Sequence, residues 1–395
     1  MSIFWGTFSP DEVPSSRRQQ TLGLASVIRH YNDRAVPGLG GLWYGMPVAW
    51  ALLGIWISEE LRRRPLPSAN AVEALVMSQA LAAGGENMRR GLGQRKLAGR
   101  TDYSYAGLSA RGAYVTQPRR MDTVQPLLQL GFVDGAAQRF NLYRLSATGV
   151  SFLESFGRER RALLTWADGG AAKKMEALWP PQRLPAMAAD LLVRQLRQAG
   201  HCSGRRRALL ETSRDDRLLA APLEHVTPPI AIDARHWADL RSGVALVRLR
   251  DAARKVLSRV EQQIGPDPRS TVKPTDAVKP ASAGLEQLVN ASQIMLREMD
   301  SSVGGEAHRF ARACSAEPAA VISELARLDG AVVRLLPEGR LALGPAGGDV
   351  TRADVTTEEL GAASETNDPA IVPELPRIAN LYALAKDLQS GTDGA

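Results

Sequence analysis

Apolar residues recur along most of the chain at the three- and four-residue spacing that is typical of amphipathic helices. The longest segment with this pattern covers residues 236–264, where Trp237, Leu240 and Val244 fall on one stripe. The pattern predicts further helices at residues 22–34, 46–64, 68–83, 147–156, 184–199, 205–211, 285–299, 308–313 and 318–328. The chain is therefore predicted to be mainly α, with small β-hairpins.

Two segments depart from the helical spacing and predict β-hairpins. In the first, Leu-Gly-Phe-Val leads into an Asp-Gly turn, and residues 139–145 alternate as a return strand. In the second, residues 332–336 and 340–343 flank a Pro-Glu-Gly turn. Each hairpin follows helices, as in winged-helix domains, so we predict two winged-helix-like units. Pro126 interrupts the helix before the first hairpin, which leaves open whether that unit binds DNA or a protein.

Local composition divides the chain into folded segments and linkers. Four prolines between Gly265 and Ser282 predict a linker and a domain boundary, and the polar, acidic residues 346–373 predict disorder. The predicted order is an N-terminal helical region (1–105), a winged-helix-like unit (106–157), a helical region (158–264), the Pro-rich linker (265–283), a smaller winged-helix-like domain (284–345), the flexible acidic linker (346–373) and an amphipathic C-terminal segment (374–395).

One uncharged stretch, residues 35–58, is long enough to be tested as a membrane span. Its glycines, together with Pro37 and Pro47, limit a continuous helix to the part that begins near Met46. That part is too short to cross a bilayer, so we predict a buried core helix and no membrane contact. The N-terminus lacks the charged start and apolar core of a signal peptide, which predicts a cytoplasmic protein.

The overall composition narrows the class of protein. With 44% hydrophobic residues the chain can bury extensive cores, so global disorder is excluded. The chain has two cysteines, Cys202 and Cys314, which excludes a disulfide scaffold and a Cys-rich zinc module.

Charge is distributed unevenly along the chain. The formal net charge is +7, but residues 345–395 carry nine acidic and three basic side chains, so the rest of the chain is strongly basic. A basic body with an acidic tail is typical of proteins that bind nucleic acids, although solvated arginine-rich helix faces give the same pattern. Double-stranded DNA is the predicted partner. The candidate DNA-binding residues are Arg89, Arg90, Arg95, Lys96, Arg100, Arg119, Arg120 and Arg139.

The C-terminal segment recovers an amphipathic pattern after the acidic linker. An apolar helix face at this position can dock on a partner protein or fold back onto its own chain, and the spacing leaves both interpretations open. The candidate partner-binding residues are Ile378, Leu381, Tyr382 and Leu388.

No spacing of catalytic residues is recognisable. The five histidines are scattered without a zinc-binding spacing, and Gly-x-Ser-x-Gly, Gly-x-Gly-x-x-Gly and Walker motifs are absent. We therefore predict a non-enzymatic protein with no cofactor and no metal. The remaining catalytic hypothesis is a nuclease that uses Asp215, Asp216 or Glu211.

Short motifs between residues 22 and 156 carry a family resemblance. They are His30-Tyr31-Asn32, Gly45-Met46-Pro47-Val48, Glu60-Leu61-Arg62, Leu66-Pro67-Ser68 and Leu130-Gly131-Phe132-Val133. In this order they resemble the small middle components of bacterial ABC-three-component systems, which include Lamassu-type antiphage systems. The resemblance implies a non-catalytic subunit that bridges an SMC-like ATPase and an effector, often a nuclease. The alternative is a stand-alone winged-helix transcriptional regulator.

Overall fold

The computed structural model shows a mainly helical protein with a few short strands, which confirms the predicted mainly α class. The residues that it describes are 20–83, 92–156, 161–170, 183–213, 218, 223–299, 305–348 and 376–389. Most of the predicted acidic linker at 346–373 lies outside these ranges.

The described residues form fifteen α-helices and five short strands. The helices are α1 (Ala25–Ala35), α2 (Met46–Glu60), α3 (Pro65–Ala83), α4 (Gln94–Leu97), α5 (Tyr105–Ser109), α6 (Arg120–Gln129), α7 (Ala147–Glu154), α8 (Arg161–Ala167), α9 (Ala186–Gln198), α10 (Ser203–Thr212), α11 (Ala234–Ile264), α12 (Pro274–Glu298), α13 (Gly305–Ala313), α14 (Pro318–Asp329) and α15 (Pro376–Gln389). The strands are β1 (Val133–Asp134), β2 (Arg144–Leu145), β3 (Thr271–Val272), β4 (Val333–Leu335) and β5 (Leu341–Leu343).

These elements form two compact units. Unit 1 contains the described residues within 20–34, 223–227 and 233–348, and unit 2 contains those within 35–221, 228–232 and 376–389. Within the described residues the chain passes between the units after Arg34, at the end of α1, and again in the region of residues 221–233. The sequence analysis expected a domain boundary at 265–283 instead, and that segment lies inside unit 1.

Helix α2 is the centre of unit 2 and is buried along most of its length. It contacts α3, α6, α7, α8 and strand β2, so apolar residues surround the whole helix and no polar stripe is needed. Pro47 lies in its first turn, as the sequence predicts. The uncharged stretch is therefore a core helix. In the described part of the chain, every helix is either too short or too polar to span a bilayer.

Helices α2 and α3 approach each other closely at Gly54. A Cβ built on this glycine would lie 2.6 Å from the Cβ of Ala69 and closer still to the backbone of Ala69. The crossing therefore requires a residue without a side chain on α2 and a small residue on α3. This close approach brings α3, which carries the central residue of the candidate site, onto the core of unit 2.

The first predicted hairpin is present but shorter than expected. Strands β1 and β2 pair antiparallel, with Val133 opposite Leu145. The expected return strand over residues 139–145 is interrupted because Phe140–Leu142 form a 3-10 turn that buries the Phe140 ring. The Tyr143 hydroxyl donates to the carbonyl of Val124 at 2.7 Å, which joins the hairpin to α6.

Unit 1 is built on the two long helices α11 and α12, which pack along a continuous apolar seam that includes Leu249, Val256 and Leu288. Its sheet has the order β3-β5-β4, and both strand pairs are antiparallel. The second predicted hairpin is present as β4 and β5. Strand β3 is an additional strand that the sequence pattern did not indicate.

The segment expected to be a Pro-rich linker is a strand and the first half of a helix. Pro274 begins α12, where a missing N–H costs nothing, and Pro280 lies inside the helix. Pro280 cannot donate to the carbonyl of Asp276, and the side-chain amide of Gln263 on α11 donates to that carbonyl instead, at 3.1 Å. Tertiary contacts therefore compensate for the proline that led to the linker prediction.

Candidate nucleic-acid interface

Positive charge is concentrated in unit 2. Its described residues include twenty Lys and Arg against eleven Asp and Glu, whereas unit 1 has eighteen against fifteen. The electrostatic attraction for an anion is therefore stronger at unit 2 than at unit 1. Some of the cations of unit 2 are exposed to solvent, and others form hydrogen bonds or stack on aromatic rings inside the unit.

Glu73 on α3 is a fully buried carboxylate that holds the start of α6. Its Oε1 accepts from the backbone N–H of Arg119 at 2.8 Å, and its Oε2 accepts from the backbone N–H of Arg120 at 3.0 Å. These N–H groups have no partner within the helix, so Glu73 caps α6 from another element. Burial raises the pKa of Glu73 above its usual range, and the hydrogen bonds from Arg119, Arg120 and Tyr114 oppose that rise.

Tyr114 connects this capped helix to the segment that carries α4. Its hydroxyl donates to Glu73 Oε1 at 3.2 Å and lies 3.2 Å from the carbonyl oxygen of Leu92. Burial and the neighbouring Glu73 charge raise the pKa of Tyr114 far above its usual value, so the phenol keeps its proton and remains a donor. The start of the α4 segment is thus fixed to the core of unit 2.

Arg100 acts as a clamp within the same segment. Its Nε donates to the carbonyl of Asp102 at 2.7 Å, its Nη2 to that of Gly107 at 2.8 Å and its Nη1 to that of Ala113 at 3.3 Å. The guanidinium thereby joins α4 to α5 and to the loop that follows α5. Arg100, which the sequence analysis placed among the DNA-binding residues, therefore positions other residues.

Three exposed cations remain on this clamped segment, and we call them the α4 surface: Arg95, Lys96 and Arg111. Lys96 Nζ donates to the carbonyl of Gly112 at 2.9 Å, which brings α4 against the Arg111 loop. Arg95 and Lys96 were predicted from the sequence, and Arg111 was not. The arrangement presents positive charge to solvent on a segment whose backbone is held by buried contacts.

Arg119 and Arg120 are buried, in contrast to the sequence-based expectation. The Arg119 guanidinium lies over the rings of Trp43 and Tyr44. Arg120 Nε donates to Asn70 Oδ1 at 2.9 Å, and its guanidinium lies over the Phe140 ring. Burial lowers the pKa of Arg120, and the Glu73 charge opposes this. Their cationic groups stabilise aromatic side chains of the core, so they do not extend the α4 surface.

The other predicted DNA-binding residues fall in two places. Arg139 is exposed on the loop between β1 and β2. Arg89 and Arg90 lie outside the described residues.

The predicted partner-binding residues of the C-terminal segment are buried inside unit 2. Ile378, Leu381, Tyr382 and Leu388 lie on α15, which packs against α9 and α10. The hydroxyls of Tyr382 and Thr212 are 2.8 Å apart. Of the two interpretations left open by the sequence, the structure has the fold-back arrangement.

The described residues contain no group of three or more potential metal-binding side chains. Glu211 is exposed on α10. Asp215 and Asp216 lie outside the described residues, so the structure does not test the nuclease hypothesis.

Sequence analysis missed Glu73, which is central to the candidate site. One signal was available, because Glu73 is the single charged residue in helix α3. A lone charge on a buried helix must be paired or hydrogen-bonded, and this marks it as a residue with a specific partner. The identity of that partner was not available from spacing, because Arg119 and Arg120 are more than forty residues away.

Comparison with known proteins adds no relative. No protein-family model, no curated protein and no solved structure matches the chain.

Proposed function

We propose that this protein is a non-catalytic bridging subunit of a bacterial SMC-like ATPase antiphage complex, and that unit 2 contacts double-stranded DNA. The observation that carries the DNA contact is the α4 surface. Arg95 and Arg111 are exposed there on a segment held by Glu73, Tyr114 and Arg100. Because the backbone is already ordered, binding a phosphate costs little conformational entropy.

The bridging role is supported by the presence of two units with different surfaces. Glu317 caps the start of helix α14 of unit 1, and within the helix Arg327 is paired with Glu324 at 2.5 Å. A helix with this charge pattern is a poor binder of phosphate and suits protein docking better. The proposed partners of the protein, an SMC-like ATPase and an effector nuclease, come from the family resemblance over residues 22–156.

The alternative function is a stand-alone winged-helix transcriptional regulator, and the sheet of unit 1 is compatible with it. In unit 1 the strand β3, three helices and the β4–β5 hairpin follow one another, and the sheet order is β3-β5-β4. This is the strand order of winged-helix domains. Such domains bind either DNA or proteins, so the order supports a winged-helix-like unit 1 under both hypotheses.

Affinity purification from the native host tests the bridging function. We expect a tagged full-length chain to recover an SMC-like ATPase and an effector in a fixed ratio, identified by mass spectrometry. Recovery of the chain with DNA fragments of a single sequence and without these proteins would favour the regulator. Recovery of neither protein partner contradicts the bridging proposal.

Neutralising the α4 surface tests the DNA contact. The double variant Arg95→Gln/Arg111→Gln leaves Lys96 in place, because Lys96 also donates to Gly112. We expect its affinity for a short duplex to fall roughly 10-fold at low salt. The slope of log association constant against log salt concentration is negative, and its magnitude should decrease by up to about 1.8. Fluorescence anisotropy measures both.

The matched control for this test is Arg309→Gln/Arg312→Gln, which removes the same charge from exposed positions on α13 of unit 1. It should leave the salt slope unchanged. Equal loss of affinity in the two double variants would mean that net charge alone, and not the α4 surface, determines binding.

A further inference from the structure

Helices α9 and α10 form a pair joined by the four-residue turn 199–202. Gly200 in this turn has a φ of +75°, a conformation that favours glycine. The inner faces of both helices are buried, with Leu192, Leu196 and Leu209 fully covered. A turn of three or four residues that contains glycine joins the two helices of the helix-turn-helix motif, and turns of this length also join αα-hairpins.

One buried side chain fixes how the two helices meet. Arg206, in the first turns of α10, is 2% exposed. Its Nε donates to the carbonyl of Leu196 at 2.7 Å, its Nη2 to that of Ala199 and its Nη1 to that of Pro37 at 2.6 Å. Leu196 and Ala199 lie at the C-terminal end of α9, where carbonyls lack helical partners. The guanidinium therefore closes α9 and holds the start of α10 against it.

The outer faces of the pair are basic near the turn. Arg194 and Arg197 are exposed in the last turns of α9, and Gly204 and Arg207 are exposed in the first turns of α10. The spacing of three residues places Arg194 with Arg197, and Gly204 with Arg207, on one face of each helix. In the described structure these three arginines form no ion pair, so their charges are available to an external anion.

The composition of this face indicates a nucleic acid in preference to a protein. Protein interfaces have an apolar centre, and none of the described residues between Arg194 and Arg207 exposes a large apolar side chain; the exposed Met187 lies on α9 two turns before Arg194. Between Arg197 and Arg207 the exposed residues are small or polar. Arginine presents a planar fork that matches phosphate oxygens, and Gly204 leaves room for a close approach of the backbone.

We propose that α9 and α10 form a helix-turn-helix element that binds the phosphate backbone of double-stranded DNA through Arg194, Arg197 and Arg207. In such elements the first helix crosses the backbone and the start of the second faces the groove. The element deepens the proposed function, because it relies on the same DNA ligand and adds a second contact on unit 2.

Neutralising the three arginines gives the first test. The triple variant Arg194→Gln/Arg197→Gln/Arg207→Gln should weaken binding of a short duplex roughly 10- to 100-fold at low salt and lower the salt slope by up to about 2.7. The control Arg297→Gln/Arg309→Gln/Arg312→Gln removes the same charge from exposed positions of unit 1 and should leave the slope unchanged. Circular dichroism checks that both triple variants keep their helix content.

A pair of substitutions at Gly204 gives a second test that removes no existing side chain. A Cβ at this position meets nothing within 4 Å, so a longer side chain is accommodated. Gly204→Lys should tighten binding several-fold, and Gly204→Glu should weaken it. An acidic residue in the first turn of a helix is favourable, so weaker binding by the glutamate variant cannot be attributed to unfolding.

The outcomes separate this inference from the proposed function. In one outcome the α9–α10 triple variant binds DNA as well as the wild-type chain and with the same salt slope. That result contradicts DNA binding by α9 and α10, and the α4 surface stays the proposed DNA contact. If the wild-type chain does not bind duplex DNA at low salt, the DNA part of both proposals is wrong. Opposite effects of the two Gly204 variants, together with a lower slope in the triple variant, support the inference.

Discussion

Replacing Gly54 with alanine is expected to lower the free energy of unfolding of unit 2 by more than about 3 kcal/mol. The new Cβ would lie 2.6 Å from the Cβ of Ala69 and closer still to its backbone. Backbone atoms cannot rotate away as a flexible side chain can, so α2 and α3 must move apart. Because α2 contacts five other elements, this displacement would disturb the packing of much of the unit.

Intrinsic helix propensity predicts the opposite sign, which makes the experiment informative. Alanine is favoured over glycine inside a helix by about 1 kcal/mol. Urea denaturation followed by tryptophan fluorescence measures the outcome. Most tryptophans that the structure describes belong to unit 2, namely Trp43, Trp50, Trp56 and Trp166.

Gly204→Ala is the matched control for Gly54→Ala. It makes the same chemical change in a helix of the same unit, at a position where the added Cβ meets nothing within 4 Å. Propensity should then dominate, and we expect stability to be unchanged or raised by up to about 1 kcal/mol. If both variants were equally stable, α2 and α3 would not be in close contact at Gly54.

Elements with local sequence signals were predictable. The longest helix was expected at residues 236–264 and is found at Ala234–Ile264, because its apolar stripe is continuous and the Asp233 side chain accepts from the backbone N–H of His236. The hairpin β4–β5 was predictable for the same reason, since a Pro-Glu-Gly turn separates two apolar strands. Pro280 was misleading, because the contact with Gln263 that compensates for it is not encoded locally.

The candidate site was predictable only in part. Sequence analysis treats Arg95, Arg100 and Arg119 alike, because each is an arginine in a basic stretch. The structure separates them into an exposed cation, a clamp on backbone carbonyls and a cation stacked on aromatic rings. These differences depend on which distant segment packs beside each arginine, and single-sequence spacing does not contain that information.

Replacing Arg206 with methionine is expected to lower the free energy of unfolding of unit 2 by about 3 kcal/mol. Each carbonyl that loses its donor in a buried position costs roughly 1–3 kcal/mol, and Arg206 donates to three of them. Part of this loss is offset, because burial of the guanidinium is itself unfavourable and lowers its pKa. Urea denaturation followed by tryptophan fluorescence measures the net effect.

Two further variants make this prediction specific. Arg206→Lys keeps the charge, but one ammonium group cannot reproduce the planar geometry of the guanidinium, so an intermediate loss of stability is expected. Arg207→Met changes the next residue, which is exposed, and should alter stability by less than about 0.5 kcal/mol. An equal loss of stability in Arg207→Met and Arg206→Met would contradict the inference that buried Arg206 holds α9 and α10 together.

The variant Arg206→Met also tests whether Arg206 only positions the two helices or contacts DNA phosphates itself. Arg206 is 2% exposed, so its replacement releases no counterions from DNA and should leave the salt slope of binding unchanged. Loss of the joint between α9 and α10 should nevertheless weaken the affinity, because the arginines on the two helices no longer face the same phosphates. Replacing Arg207 should do the reverse, with native stability and a reduced slope. A lower slope in Arg206→Met would instead show that this side chain reaches the DNA directly.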